Sequence, residues 1–197
     1  MPKNGFRSER FEVWRAEDSP SRLDWFALRV KSNREKVVAD SIKWKGYEEF
    51  LPLYRTRRRW SDRFQDVDLP LFPGYVFCRF DVLKRLPLLI IPGVVNVVGR
   101  GKVPVPVEDE EIQALQTLVA SGLRLQPWPF LGVGDRVTVE EGPLRGVEGV
   151  VMSTKGTLQL VVSVNLLQRS VAVAVDRRWV RPESGQVSLG LLRQRTA

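Results

Sequence analysis

Apolar residues recur along this chain at two spacings. In "DWFALRVKS", Asp24 to Ser32, the residues Phe26, Leu28 and Val30 alternate with Ala27 and Arg29, which predicts a strand. The period then changes: Val38 and Ile42 stand four apart, Ser32-Asn33-Arg34-Glu35 has the spacing of a capping box, and Gly46 supplies a stop. A short helix with Arg34, Lys36, Lys43 and Lys45 on its outer sides is predicted. "EEFLPLYRTRRRW", Glu48 to Trp60, and "QDVDLPLF" flank Ser61-Asp62-Arg63 and predict a β-hairpin with an arginine-rich tip. The run "LPLFPGYVFCRF", Leu69 to Phe80, continues it as a long central strand with a bulge or bend at Pro73-Gly74. That strand is apolar on both faces, Tyr75 and Phe77 on one, Val76, Cys78 and Phe80 on the other.

"GVVNVVG", Gly93 to Gly99, predicts a further strand. In "PVEDEEIQALQTLVASG" a leading Pro106, acids in the first turn, a face of Ile112, Leu115, Leu118 and Val119, and a terminal Gly122 predict the clearest helix. The order β-α-β-β-β-α gives an α+β fold, an antiparallel sheet with helices on one side. Helices on one side leave Tyr75 and Phe77 to be covered by something else, so both are expected to be at least partly exposed in a groove. Beyond a proline-containing stretch, short alternating segments separated by glycines predict a small all-β barrel. The expected organisation is an arm over 1–21, a first domain over 22–122, a linker over 123–131, a barrel over 132–182 and a loose tail over 183–197.

Charge adds a partner class. The 31 Lys and Arg against 23 Asp and Glu leave a net charge of +8, which favours polyanions, nucleic acid first. The first domain holds the larger surplus. Arg55, Arg57, Arg58, Arg59 and Arg63 with Trp60 combine phosphate-pairing guanidiniums with a stackable ring, as a reader of single-stranded nucleic acid would.

The same composition removes catalytic classes. There is no histidine, so serine–histidine triads and the commonest metal ligand are absent. Neither glycine-rich phosphate cradle occurs. The acids Glu108 to Glu111 are explained by the helix dipole. The single cysteine, Cys78, reads as a small buried hydrophobe in a reducing, cytoplasmic setting, and no apolar run is long enough to span a membrane. No enzyme, cofactor or metal is expected.

These motifs resemble the NusG family of transcription factors. "LPLFPGYVFCRF", "PGVVNVVG" and the acidic-start helix after "PVP" follow the order of a NusG N-terminal domain, and "GDRVTVEEGPLRGVEGVV" is similar to a KOW domain, a small SH3-like barrel. The resemblance spans about Leu23 to Pro182 and implies a monomeric elongation or antitermination factor. Its first domain would bind the clamp helices of the RNA polymerase largest subunit through Phe72, Pro73, Tyr75 and Phe77, joined by Val94 and Val97. Val76, Cys78 and Phe80 would form the domain's own core.

By the same resemblance Lys31 and Arg34 lie near a surface that meets nucleic acid, either non-template DNA or nascent RNA. "KRLPLLIIPG" stands where the RfaH type carries a threonine-rich gate-loop contact. In the barrel, Gly142, Gly146 and Gly149 mark KOW turns. Leu166-Leu167-Gln168-Arg169 stands where general factors usually carry a phenylalanine-glycine-arginine turn, which there meets Rho or the ribosomal protein NusE. Leu166, Leu167 and Arg169 are thus candidate partner contacts. "RTRRRWSDR", "PWPFL" and "VSVNLLQRSVAVAVD" resemble specialised UpxY and LoaP antiterminators, which serve particular operons. A general NusG-like factor and a KOW-containing RNA- or ribosome-binding protein stay open as alternatives. The valine-rich Gly156 to Val175 opposes a helical alternative, so a constitutive barrel is expected.

Overall fold

The computed structural model describes residues 23–60, 63–129, 135–154 and 157–182. The predicted arm and tail, the turn residues Ser61 and Asp62 and the end of the predicted linker lie outside them, and so does the side chain of Trp60.

The first half runs β1 (Asp24–Val30), α1 (Glu35–Trp44), β2 (Glu48–Phe50), β3 (Leu53–Trp60), β4 (Arg63–Pro70), β5 (Tyr75–Phe80), α2 (Leu86–Leu89), β6 (Val94–Val97), β7 (Gly99–Arg100), β8 (Val103–Pro104) and α3 (Asp109–Ala120). A four-stranded antiparallel sheet has the order β2-β5-β1-β6. Strands β3 and β4 form their own two-stranded arm. The expected long central strand is broken: β4 stops at Pro70, residues 71–74 turn, and β5 begins afresh at Tyr75.

Alternation along β1 and β5 decides what each face meets. Phe26, Leu28 and Val30 with Val76, Cys78 and Phe80 share a cluster with Val38, Ala39 and Ile42 of α1, Leu88 of α2, and Ile91. The opposite parity, Trp25, Ala27 and Phe77, shares a second cluster with Ile112, Leu115 and Leu118 of α3. Helices therefore cover both faces, where one covered side was expected. Complete burial of each Phe or Leu side chain stabilises by roughly 1.5–3 kcal/mol. A strand flanked on both edges thus keeps large apolar residues at every position that a helix can reach.

Helix starts differ in kind. Glu108 N-caps α3 in an extended conformation, without a side-chain bond, and Asp109, Glu110 and Glu111 fill the first turn, where the dipole favours them. Val119 stands outside the buried stripe. The predicted capping box at Ser32 does not form: Arg34 is the N-cap residue, without a side-chain bond, and Glu35 is buried.

The second half comprises β9 (Leu125–Pro129), β10 (Asp135–Val139), β11 (Glu148–Thr154), β12 (Thr157–Val164), β13 (Arg169–Ala174) and β14 (Val180–Pro182). They form a six-stranded antiparallel sheet of order β14-β10-β11-β12-β13-β9, consistent with a KOW-like domain. The segment expected as a linker thus contributes β9, paired with β13 from Leu125↔Val173 to Pro129↔Arg169. Pro127 and Pro129 are tolerated there because β9 is an edge strand. The valine-rich segment forms β12 and β13, joined by a short 3-10 turn at Asn165–Leu167.

Burial pushes the Cys78 thiol up to about 12, and Glu49 and Glu48 add to the shift. The native protein should therefore resist alkylation by iodoacetamide at pH 8 for a time that modifies it fully in denaturant. Equal labelling rates in the two conditions would contradict the burial of this face.

Candidate functional site

The turn between β4 and β5 organises the first candidate surface. Leu71 N donates to Pro52 O at 2.9 Å, Tyr75 N to Phe72 O at 3.1 Å, and Val30 N to Gly74 O at 2.9 Å. The Gly74 amide donates to Glu35 Oε1 at 2.8 Å. Helix α1 thus holds the Pro73-Gly74 turn through one buried carboxylate. Phe77 lies edge-on to Phe72, centroids 5.7 Å apart, and stacks on Phe50 at 6.2 Å.

Phe72, Pro73, Tyr75 and Phe77 are gathered at this turn, with different exposures. Phe72 and Phe77 are 1% and 0% exposed, so no open groove displays them; Tyr75 is half-buried and Pro73 exposed. The expected exposure of Phe77 is thereby corrected: α3 shares its cluster, and Phe72 and Phe50 close over its ring. Val94 and Val97 are not part of this group. They pack with the α1 cluster on the other face of the sheet, and Val98 is the residue of that segment on the Phe77 side. The β1–β6 register shifts between Arg29 and Val30, and a one-residue offset exchanges faces.

The C-terminal sheet comes to the same turn. The Arg169 guanidinium lies over the Tyr75 ring, 5.2 Å from its centroid, and donates to Pro73 O at 3.3 Å. Asn165 donates through its backbone N (3.2 Å) and Nδ2 (2.7 Å) to Glu111 Oε1 on α3. Burial raises the Glu111 carboxyl above the usual range, and the Asn165 bonds offset part of that shift. The apolar cluster continues from Phe77 through α3 to Val137, Leu160, Val162 and Val171. Beside this contact a cleft of about 460 Å³, lined by Glu110, Gln113, Arg136 and Glu148 among others, separates the polar flanks of the two halves.

The candidate partner turn of the barrel is therefore engaged within the chain. Leu167 is buried, Leu166 is partly buried against the same cluster, and Arg169 faces Tyr75. Gly142 and Gly146 have φ of +79° and +86°, and a Cβ on Gly142 would meet the Trp179 ring at 2.9 Å. A Cβ on Gly149 would meet Val161 O at 2.7 Å across the β11–β12 pair, so only glycine fits.

The second candidate surface is the β3–β4 arm. Arg55, Arg57, Arg58, Arg59 and Arg63 are all exposed on strands of eight residues each. Lys31 and Arg34 are exposed at the β1–α1 turn, where Lys31 N donates to Gly93 O at 2.8 Å.

Residues 23–116 match the family described as "Transcription termination factor nusG". The chain carries a NusG-family domain. The "Transcription termination/antitermination protein NusG" of Borreliella burgdorferi is 28% identical over 174 residues, 77% of this chain and 94% of that protein. The protein of the same name from Deinococcus radiodurans is 28% identical over 186 residues, 78% of this chain and 96% of its own. In fold, the chain is similar to a solved structure described as "Domain interaction in Thermotoga maritima NusG", with a TM-score of 0.52 and 23% identity over 81% of this chain and 97% of that one.

Two contacts at this site have no signal in the local sequence pattern. Glu35 stands where a capping box places its acid, but its buried carboxylate accepts from the Gly74 amide, 39 positions along the chain. Asn165 and Glu111 lie 54 positions apart, and no local pattern links them. Among the described residues no cluster of His, Cys, Asp or Glu could hold a metal ion, and no helix is long and apolar enough to cross a membrane.

Replacing Glu35 by Ala should lower stability by about 1–3 kcal/mol in urea unfolding, since the Gly74 amide loses its acceptor. Glu35→Gln keeps an acceptor oxygen and should recover part of the loss. An Ala variant as stable as the parent would show that this bond does not hold the turn.

Proposed function

We propose that this chain is a transcription elongation and antitermination factor that binds RNA polymerase through the Pro73–Tyr75 corner of its NusG domain, with Phe72 and Phe77 buried beneath it. The observation that carries the reading is the Arg169 guanidinium over Tyr75. An aromatic and aliphatic corner of the kind that concentrates binding energy is occupied by the chain's own second half. The C-terminal sheet acts as a removable cover, and the polymerase clamp helices replace it. Release also frees Leu166, Leu167 and Arg169, which are then open to a second partner, NusE or Rho.

The arginine-rich arm favours a specialised factor over a general one. Five exposed arginines on one hairpin give it a nucleic-acid contact of its own, through which particular operons are selected.

Polymerase binding and read-through of a terminator in vitro test the proposal. Arg169→Ala removes a cation–π contact and one hydrogen bond, about 1 kcal/mol, so polymerase affinity should rise roughly fivefold. Tyr75→Ala should reduce both binding and read-through. Unchanged affinity in the arginine variant would reject the cover, and full read-through by the tyrosine variant would reject the face.

A further inference from the structure

The register of the β3–β4 arm sorts its arginines onto two unlike faces. Directly opposed residues of an antiparallel pair share a face, and faces alternate along each strand. Arg55 opposes Asp68, Arg57 opposes Asp66, and Arg59 opposes Phe64. Those six residues form one face. Two contacts agree with this: Arg55 Nε lies 3.3 Å from Asp68 Oδ1, and the Arg57 guanidinium lies 5.1 Å from the centroid of the Phe64 ring, its diagonal neighbour.

The other face carries Arg58 opposite Gln65 and Thr56 opposite Val67, with Arg63 diagonal to Arg58 at the outer end. Among the described residues it contains no acid. At its root Tyr54 packs against the apolar cluster, and towards the tip Arg58, Gln65 and Arg63 are exposed. Among the described residues, Arg55 and Arg57 stand opposite carboxylates, whereas Arg58 and Arg63 do not.

We infer that the arm reads the phosphodiester backbone of a nucleic-acid strand through the Arg58–Arg63 face, and that on the opposite face Asp66 and Asp68 offset the charges of Arg55 and Arg57. Arg58 and Arg63 supply the charge, and the Thr56 hydroxyl and Gln65 amide add uncharged donors of the kind that position phosphates. An arm whose two faces differ in charge favours one orientation on the strand, which a uniformly cationic hairpin would not impose. This inference deepens the nucleic-acid contact proposed above. Its test uses naked oligonucleotides, so its failure would leave the polymerase reading standing.

The experiment measures binding of the full chain to a fluorescent 20-nucleotide single strand, as DNA and as RNA, by anisotropy across a salt series. Replacing Arg58 and Arg63 together by Ala should lower the slope of log affinity against log salt by about 1.4, near 0.7 per phosphate contact. The Arg55→Ala/Arg57→Ala pair should change it by less than about half a unit. Asp66→Asn with Asp68→Asn should raise affinity and steepen the slope by freeing Arg55 and Arg57. A preference for RNA or for DNA names the strand, and the Arg58–Arg63 pair must carry the slope for the preferred one. An equal or larger loss in the Arg55–Arg57 pair, or no gain on removing the two acids, would overturn the inference.

Discussion

Strand β5 is apolar on both faces, and the rest of the molecule is arranged to cover it. It lies between β2 and β1, so its backbone is satisfied on both edges and only its faces need cover. One face takes α1 and α2. The other takes α3, whose buried stripe of Ile112, Leu115 and Leu118 leaves Glu111 and Ala114 free to meet a further layer. The C-terminal sheet is that layer. Its β12–β13 turn reaches across to the Pro73-Gly74 corner, where the backbone carbonyl of Pro73 and the ring of Tyr75 accept one arginine.

The two covers are unequal. The α1 side is a closed apolar core in which even the cysteine is buried. The α3 side combines apolar packing with a guanidinium on a half-buried ring, a carboxyl whose burial is only partly offset by hydrogen bonds, and an adjoining open cleft. Two surfaces that the sequence marks as separate partner sites, the aromatic corner and the turn around Arg169, are in this arrangement each other's partner.

Much of the fold was legible because it rests on local periods. The alternation in β1 and β5 identifies both strands and separates Val76, Cys78 and Phe80 from Tyr75 and Phe77; the acids and the apolar stripe identify α3. What local pattern cannot express is the side of a sheet on which a helix crosses, and that one missing choice left Phe77 expected in an open groove. The side taken by Val94 and Val97 was hidden for a related reason: their pairing with Val30 and Leu28, across an irregularity, turns both to the α1 side and is not visible in either strand alone. Pro127 and Pro129 read as a linker because prolines oppose interior strands, yet an edge strand accepts them. In the arm, composition showed the arginines, but only the cross-strand register pairs them with their acids.

The central claim is that the aromatic corner of the NusG domain is covered by the chain's own C-terminal sheet. Nuclear Overhauser contacts between the Tyr75 ring protons and the Arg169 side chain in the intact protein test it most directly. The account predicts clear cross-peaks between the two, with upfield-shifted Arg169 side-chain protons under the ring current. Random-coil shifts for Arg169, with no contact to Tyr75, would contradict it.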